Sequence, residues 1–213
     1  MAISKVNFNS LNVTPTASKA LKFNSSNNGL EAGDVGGALV LISEQTASSS
    51  ANISFTSGID STYKEYIIKI INAHPQTDDK NLTFSFTSDG TNFNVSIVCT
   101  AFGADHTEAG SSNLEYKAGN DPDSSGVQSI GASTGSDNDQ ASSGQLTLFD
   151  PSSTTFVKHY MSRSSQARHS DAAQDFFTAG YCNTTSAITG IRFKFQSGNI
   201  DSGTFKLYGL KDS

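Results

Sequence analysis

The stretch "SGIDSTYKEYIIKIINAHPQTDD", residues 57–79, decides the fold, because two periods compete within it. Read as a helix, Tyr63, Ile67, Ile70 and Ile71 fall at i, i+4, i+7 and i+8. Read as a strand, Tyr66, Ile68 and Ile70 share one face, and Ile67, Lys69 and Ile71 share the other. Composition and flanks choose the strand. β-Branched and aromatic residues dominate, "SGIDS" supplies a turn, and the residue before Pro75 favours extended geometry. Apolar residues on both faces place this strand centrally in a sheet. One side then meets the core, and the other is partly covered by a loop or a neighbouring subunit.

Strand signals recur at short intervals on either side: "ALVLIS" (38–43), "ANISFT" (51–56), "NLTFSFTSDGTNFNVSIVCT" (81–100), "QLTLFD" (145–150), "TTFVKHYM" (154–161), "DFFTAGYCN" (175–183), "AITGIRFKFQ" (187–196) and "GTFKLYGL" (203–210). Alternation is clearest where Leu82, Phe84 and Phe86 share a face, and where Ile191, Phe193 and Phe195 oppose Arg192 and Lys194. "TSDGTNF" reads as a tight hairpin, since Asp-Gly provides the positive φ a primed turn needs. A 3.6-residue period recurs only weakly, in "SSQARHSDAAQDFF" (164–177). The turns in "SGIDSTYKEYI" and "SGNIDSGTFKLY" echo each other and are expected at similar corners. This pattern predicts an all-β fold: an antiparallel, jelly-roll-like β-sandwich at 38–213, with little helix. Residues 1–37 read as an extended N-terminal arm, whose spaced apolar residues Ile3, Val6, Phe8, Leu11 and Val13 are candidates for docking on a larger particle.

The 213 residues suffice for one such domain and its core. The start "MAISKVNFNSLNV" lacks an apolar run, so neither a signal peptide nor a membrane-inserting helix is expected. Cys99 and Cys182 are expected as free thiols rather than a disulfide. The net charge of −6 is localised. Between Gly103 and Gly144 seven acids face Lys117 alone, while the remaining thirteen acids and thirteen bases cancel. That segment reads as a long, acidic, polar insertion. The balance argues against nucleic-acid binding, which requires a basic stripe.

Three motifs bear on chemistry. "GASTG" (131–135) has the spacing of a nucleophile elbow around Ser133, but no strand–turn–helix context surrounds it, and it reads as a loop. "DPDSSG" (121–126) places Asp121, Asp123 and Ser125 as alternating oxygen ligands of a calcium loop. The glutamate that completes such a loop is missing, since position twelve is Ala132, and a solvated acidic loop is the competing reading. No other cofactor is indicated. Lys158, His159, Arg163, Arg168 and His169 lie in a segment free of acids from Pro151 to Ser170. They are candidates for an anionic ligand, or for a contact with the acidic segment within or between subunits.

Two stretches carry a resemblance. "GGALVLISEQTASSSANISFTSGIDSTYKEYIIKIINAHPQTDDKNLTFSFTSDGTNFN" (36–94) and "ITGIRFKFQSGNIDSGTFKLYGLKD" (188–212) resemble virion structural proteins of tailed bacteriophages, especially those of aquatic bacteria. The opening "AISKVNFNSLNVTPTASKALKFNSSNNGLEAGDVGG" (2–37) is similar to the leading segment of such proteins. Residues 101–185 do not share the resemblance, which suits a variable, outward-facing region. The resemblance implies a non-enzymatic particle component, assembled in the host cytoplasm and located in the virion. Its partners would be other virion proteins, copies of itself (a trimer on a symmetry axis) and a host-surface glycan. A tail fibre or fibre-like appendage is the leading expectation and a capsid decoration protein the alternative. A carbohydrate-binding module or depolymerase accessory is the outside reading.

Overall fold

A computed structural model of the chain describes residues 19–26, 28–34, 38–120 and 126–211. The chain divides into two compact units, Met1–Ala38 and Leu39–Ser213. In the first, β1 (Lys19–Phe23) and β2 (Leu30–Asp34) pair antiparallel with each other, Phe23 opposite Leu30.

The second unit contains β3 (Leu39–Ser50), β4 (Ile53–Phe55), β5 (Glu65–Pro75), β6 (Leu82–Thr87), β7 (Ile97–Thr107), β8 (Ser112–Tyr116), β9 (Gln128–Ser129), β10 (Ser142–Phe149), β11 (Lys158–Arg168), β12 (Ala172–Cys182), β13 (Gly190–Phe195) and β14 (Ile200–Leu210). Helical structure among the described residues is one 3₁₀ turn at Ala118–Asn120. The strands form two antiparallel sheets of unequal size. The large one has the order β3-β14-β5-β10-β11-β12-β7-β8, and the small one β4-β13-β6-β9. The fold is the expected all-β sandwich.

The deciding stretch is a strand, and it lies third from the edge of the large sheet. Its alternation is the one read from the sequence: Tyr66, Ile68 and Ile70 are buried, while Ile67 and Lys69 are half-buried and Ile71 is exposed. The turn before it is locally built. Gly58 supplies a φ of +83°, Asp60 Oδ1 accepts the Thr62 N–H at 2.8 Å, and the Tyr66 hydroxyl accepts the Asp60 N–H at 3.0 Å. The strand continues past Ile71 through a bulge. Asn72 adopts a φ of +52°, its N–H donates to Ser143 Oγ at 2.9 Å, and the bulge lets pairing resume through Pro75. Gly203 of β14, at a φ of +133°, faces this bulge so closely that a side chain there would meet Ala73 Cα at 2.8 Å.

The core forms between the sheets. Tyr66, Ile68, Leu146, Leu148, Tyr160, Phe205 and Leu207 enter from the large sheet; Phe55, Phe84, Phe86, Ile191 and Phe193 enter from the small one. Rings bridge the layers edge-on, Phe84 to Tyr160 at 5.2 Å, and tilted, Phe193 to Phe205 at 5.4 Å. Cys182 is buried and Cys99 is half-buried, with its Sγ donating to Gln128 Oε1 at 2.8 Å; neither forms a disulfide.

Four expectations change. The Asp-Gly turn exists, with Asp89 Oδ1 accepting the N–H groups of Thr91 and Asn92, but it does not close a hairpin. After it the chain crosses to the other sheet, because β6 is flanked by β13 and β9 while Ile97 of β7 is buried against the core. The acidic segment 103–144 is only partly a loop: it completes β7, forms β8 and β9, and begins β10. "SSQARHSDAAQDFF" is the β11–β12 hairpin rather than a helical turn, reversed at Asp171 with a φ of +51°. The two echoing turns precede β5 and β14, which are antiparallel neighbours, so they sit at opposite ends of the sheet.

Candidate functional site

The large sheet has an inner face toward the core and an outer face that remains open. One row of outward side chains crosses all eight strands in register: Glu44, Lys206, Lys69, Gln145, Arg163, Phe177, Phe102 and Tyr116. The row is ordered by contacts along its length. Lys206 Nζ meets Glu44 Oε2 at 3.1 Å. Arg163 grips Asp175 through two hydrogen bonds, Nε to Oδ1 at 2.9 Å and Nη2 to Oδ2 at 2.6 Å. That pairing raises the Arg163 guanidinium above its ordinary value. The guanidinium lies over the Phe177 ring at 4.8 Å, and Phe177 in turn stacks on Phe102 at 4.8 Å with 6° between planes. These planar groups stand side by side as a ridge.

Beside the ridge the outward residues are small. The next row reads Ser143, Ser165, Asp175, Ala104 and Leu114, and beyond it Ala173 opposes His106. A strip of short side chains between taller rows makes a groove of about 1100 Å³ across β10, β11, β12, β7 and β8. Leu114, 72% exposed, rises at its outer end. The backbone groups of β11, β12 and β7 in the floor belong to the sheet's ladders, so there the groove offers a ligand side chains, and β8 is the edge strand.

Beneath the groove the inner face is polar, because here the large sheet is backed by the 128–141 segment rather than by phenylalanines. Ser162 and Thr178 share a hydroxyl contact, Ser164 donates to Ile130 O, and Gln166 donates to Gln174 and accepts from Thr134. The network ends at Asp105, held by Lys117 at 2.9 Å and Arg168 at 3.3 Å. Burial pushes the Asp105 carboxyl up. Hydrogen bonds from Lys117 and Gln174 and the Arg168 charge outweigh it, and the group stays below the usual carboxylate range.

The five basic candidates do not converge. Lys158 points inward and is fully buried, with Nζ donating to Thr184 O at 3.2 Å. His159 faces outward, edge-on to Tyr181 at 6.2 Å. Arg163 belongs to the ridge, and Arg168 pairs with Asp105 of the acidic segment within the same chain. His169 follows β11, with Nδ1 3.1 Å from Asp79 Oδ1. The basic run is therefore divided between two faces, and four of the five have polar partners of their own.

Ser133 has a φ of +58° and its carbonyl accepts the His169 N–H, which brings a serine, a histidine and Asp79 together. The group is not assembled for acyl transfer. The Ser133 N–H is donated to Asn81 Oδ1 and the Thr134 N–H to Lys80 O, so neither is free to stabilise an oxyanion. Among the described residues no hydrogen bond joins the Ser133 hydroxyl to the His169 ring, and no cluster of His, Cys, Asp and Glu is placed to hold a metal. The calcium candidates Asp121, Asp123 and Ser125 and the docking candidates Ile3, Val6, Phe8, Leu11 and Val13 lie outside the described residues.

The groove is the feature that reading the sequence missed. Its signal is present in "AFGADHT" (101–107), where Phe102, Ala104 and His106 alternate with Ala101, Gly103 and Asp105, a pattern too polar to stand out by hydropathy. Comparison with known proteins gives no match: no family model fits the chain, and no significant similarity to curated proteins or solved structures is found.

Proposed function

We propose that this protein is a non-enzymatic structural component of a tailed-phage particle, a tail-fibre-like appendage that docks through residues 1–37 and turns the sandwich toward the host surface. One observation carries the reading. The stretches that resemble phage virion proteins and the stretch that does not form different strands of one sandwich, although both contribute to its core. The resembling segments build β3, β14 and β5 of the large sheet and β4, β13 and β6 of the small one. The remainder of the large sheet, β10-β11-β12-β7-β8, comes almost wholly from residues 101–185, and the groove is lined from within 104–175. A sandwich whose resembling strands form one end of the large sheet and whose other strands form the other end is the division an appendage needs: one part keeps the subunit's fold and place, the other meets a partner. The exposed Phe102, Leu114, Tyr116 and Met161 on the second part agree with a contact surface.

The experiment is deletion of residues 1–35 from a tagged copy supplied during infection. The shortened chain is expected to fold and to be absent from purified particles; its continued incorporation refutes docking by the arm. Antibody labelling of intact particles in the electron microscope then separates tail from head. Label on the capsid, together with protection of capsids against heat, marks a decoration protein instead. Release of reducing sugar from host polysaccharide marks a depolymerase accessory.

A further inference from the structure

We infer that the groove across β10, β11, β12, β7 and β8 binds a neutral polysaccharide by its vicinal hydroxyl groups. The inference deepens the host-contact part of the proposed function, and it stands independently of how the arm docks.

Shape points to a chain rather than a compact ligand. Five adjacent strands at about 4.8 Å spacing give a trough on the order of 19 Å long. It is open to solvent and floored by Ser143, Ser165, Ala104 and Ala173. A floor of short side chains on paired strands is rigid, so little ordering is required when a ligand arrives. A peptide cannot add as a strand over β11, β12 and β7, whose backbone groups are committed to the ladders; strand addition is confined to the outer edge of β8.

Chemistry selects sugars. Arg163 and Asp175 lie in one plane, joined at two points, with their side chains 65% and 35% exposed. The guanidinium keeps further N–H donors, and the carboxylate keeps free lone pairs beside them. Stacking of Arg163 on Phe177 fixes the orientation of the couple. A donor and an acceptor side by side match two adjacent sugar hydroxyls, each of which both donates and accepts. Ser165 and Gln145 add neutral hydrogen-bonding groups along the trough, Ser143 Oγ being engaged by Asn72, while Ala104 and Leu114 offer apolar surface to the C–H face of a ring. Charge selects neutral sugars. The outward-facing charges in the groove, Arg163 and Asp175, cancel, and the whole chain carries −6, which repels polyanions.

The test is native affinity electrophoresis of the full chain through gels containing dextran, galactomannan or laminarin as neutral polymers, and alginate or polygalacturonate as acidic ones. Retardation by at least one neutral polymer and by neither acidic one is expected. Ala104→Trp fills the trough at an exposed position and is expected to abolish retardation. Arg163→Ala and Asp175→Ala are each expected to weaken it about tenfold or more, the effect of losing charge-assisted hydrogen bonds. Lys206→Ala, in the same row but outside the groove, leaves it unchanged, and circular dichroism verifies that each variant folds. Retardation by no neutral polymer, retardation by acidic polymers alone, or undiminished retardation of the Ala104→Trp variant overturns the inference. Each of these results leaves particle docking untouched, so the two readings fail separately.

Discussion

Replacing Lys158 by methionine tests the energetics of the polar half of the sandwich most directly. Lys158 occupies an inward position of β11 with no exposed surface, opposite the buried Cys182. Its ammonium makes one hydrogen bond, to Thr184 O at 3.2 Å. Burial holds its pKa below the ordinary lysine value, and the Cys182 and Asp150 charges offset that only in part. Methionine keeps the length of the stem and removes the charge. Losing the bond to Thr184 O costs about 1 kcal/mol. Relieving a buried, underpartnered ammonium returns about 2–3 kcal/mol, within the range seen when buried charges give way to apolar groups of similar volume. The net expectation is a gain of about 1–2 kcal/mol near neutral pH, or about 2–4 °C in Tm for each kcal/mol in a chain of this size.

The pH dependence carries its own sign. The folded protein releases the Lys158 proton more readily than the unfolded chain does. The wild type is therefore penalised fully below its depressed pKa, and it recovers stability as pH rises from there toward the ordinary value of about 10.4. The methionine variant lacks this recovery, so its advantage narrows across that window. Thermal unfolding followed by circular dichroism at neutral and alkaline pH measures both quantities. A variant less stable than wild type at neutral pH, or an advantage that does not shrink with pH, refutes the reasoning.

Three further substitutions address the frame. Phe84→Ala removes a ring packed edge-on against Phe86 at 5.4 Å and against Tyr160 across the sheets, and should cost about 3–5 kcal/mol in denaturant unfolding; a loss below about 1 kcal/mol would show that the interface there is loosely packed. Gly203→Ala forces a side chain onto a backbone at φ +133° and against Ala73 Cα at 2.8 Å, so about 1–3 kcal/mol should be lost. Gly90→Ala, at φ +77° but in open space, isolates the strain and should cost about 1 kcal/mol. Equal losses at the two glycines would mean that the bulge at Asn72 yields to accommodate the methyl group.

The frame was legible in the amino acids and the groove was not, and particular strands show why. In β6 and β13 phenylalanines occupy every second position, and the buried face announces itself: Phe84, Phe86, Phe193 and Phe195 all lie in the core. In β11 and β12 six of the ten buried positions are polar, Lys158, Ser162, Ser164, Gln166, Gln174 and Thr178, and they break up Tyr160, Ala172, Phe176 and Cys182. They alternate just as strictly, yet both faces read as hydrophilic, so the hairpin resembled a weak helical turn. The basic candidates fell to the same ambiguity. Lys158 and Arg168 are inward and His159 and Arg163 outward, a sorting that follows from a register no hydropathy pattern reveals.

Local composition was enough for the apolar strands of the frame, the turns at Gly58 and Asp89 and the burial of large apolar side chains, because backbone preference and burial of greasy surface act over a few residues. Tertiary structure alone decided which strands became neighbours. It joined β3 to β14 and β5 to β10 across long stretches of chain, and it aligned Gln145, Arg163, Phe177, Phe102 and Tyr116 in one row from five strands. Such alignment depends on the register of hydrogen bonds between distant strands. A slip of one residue would have turned every member of the row toward the opposite face.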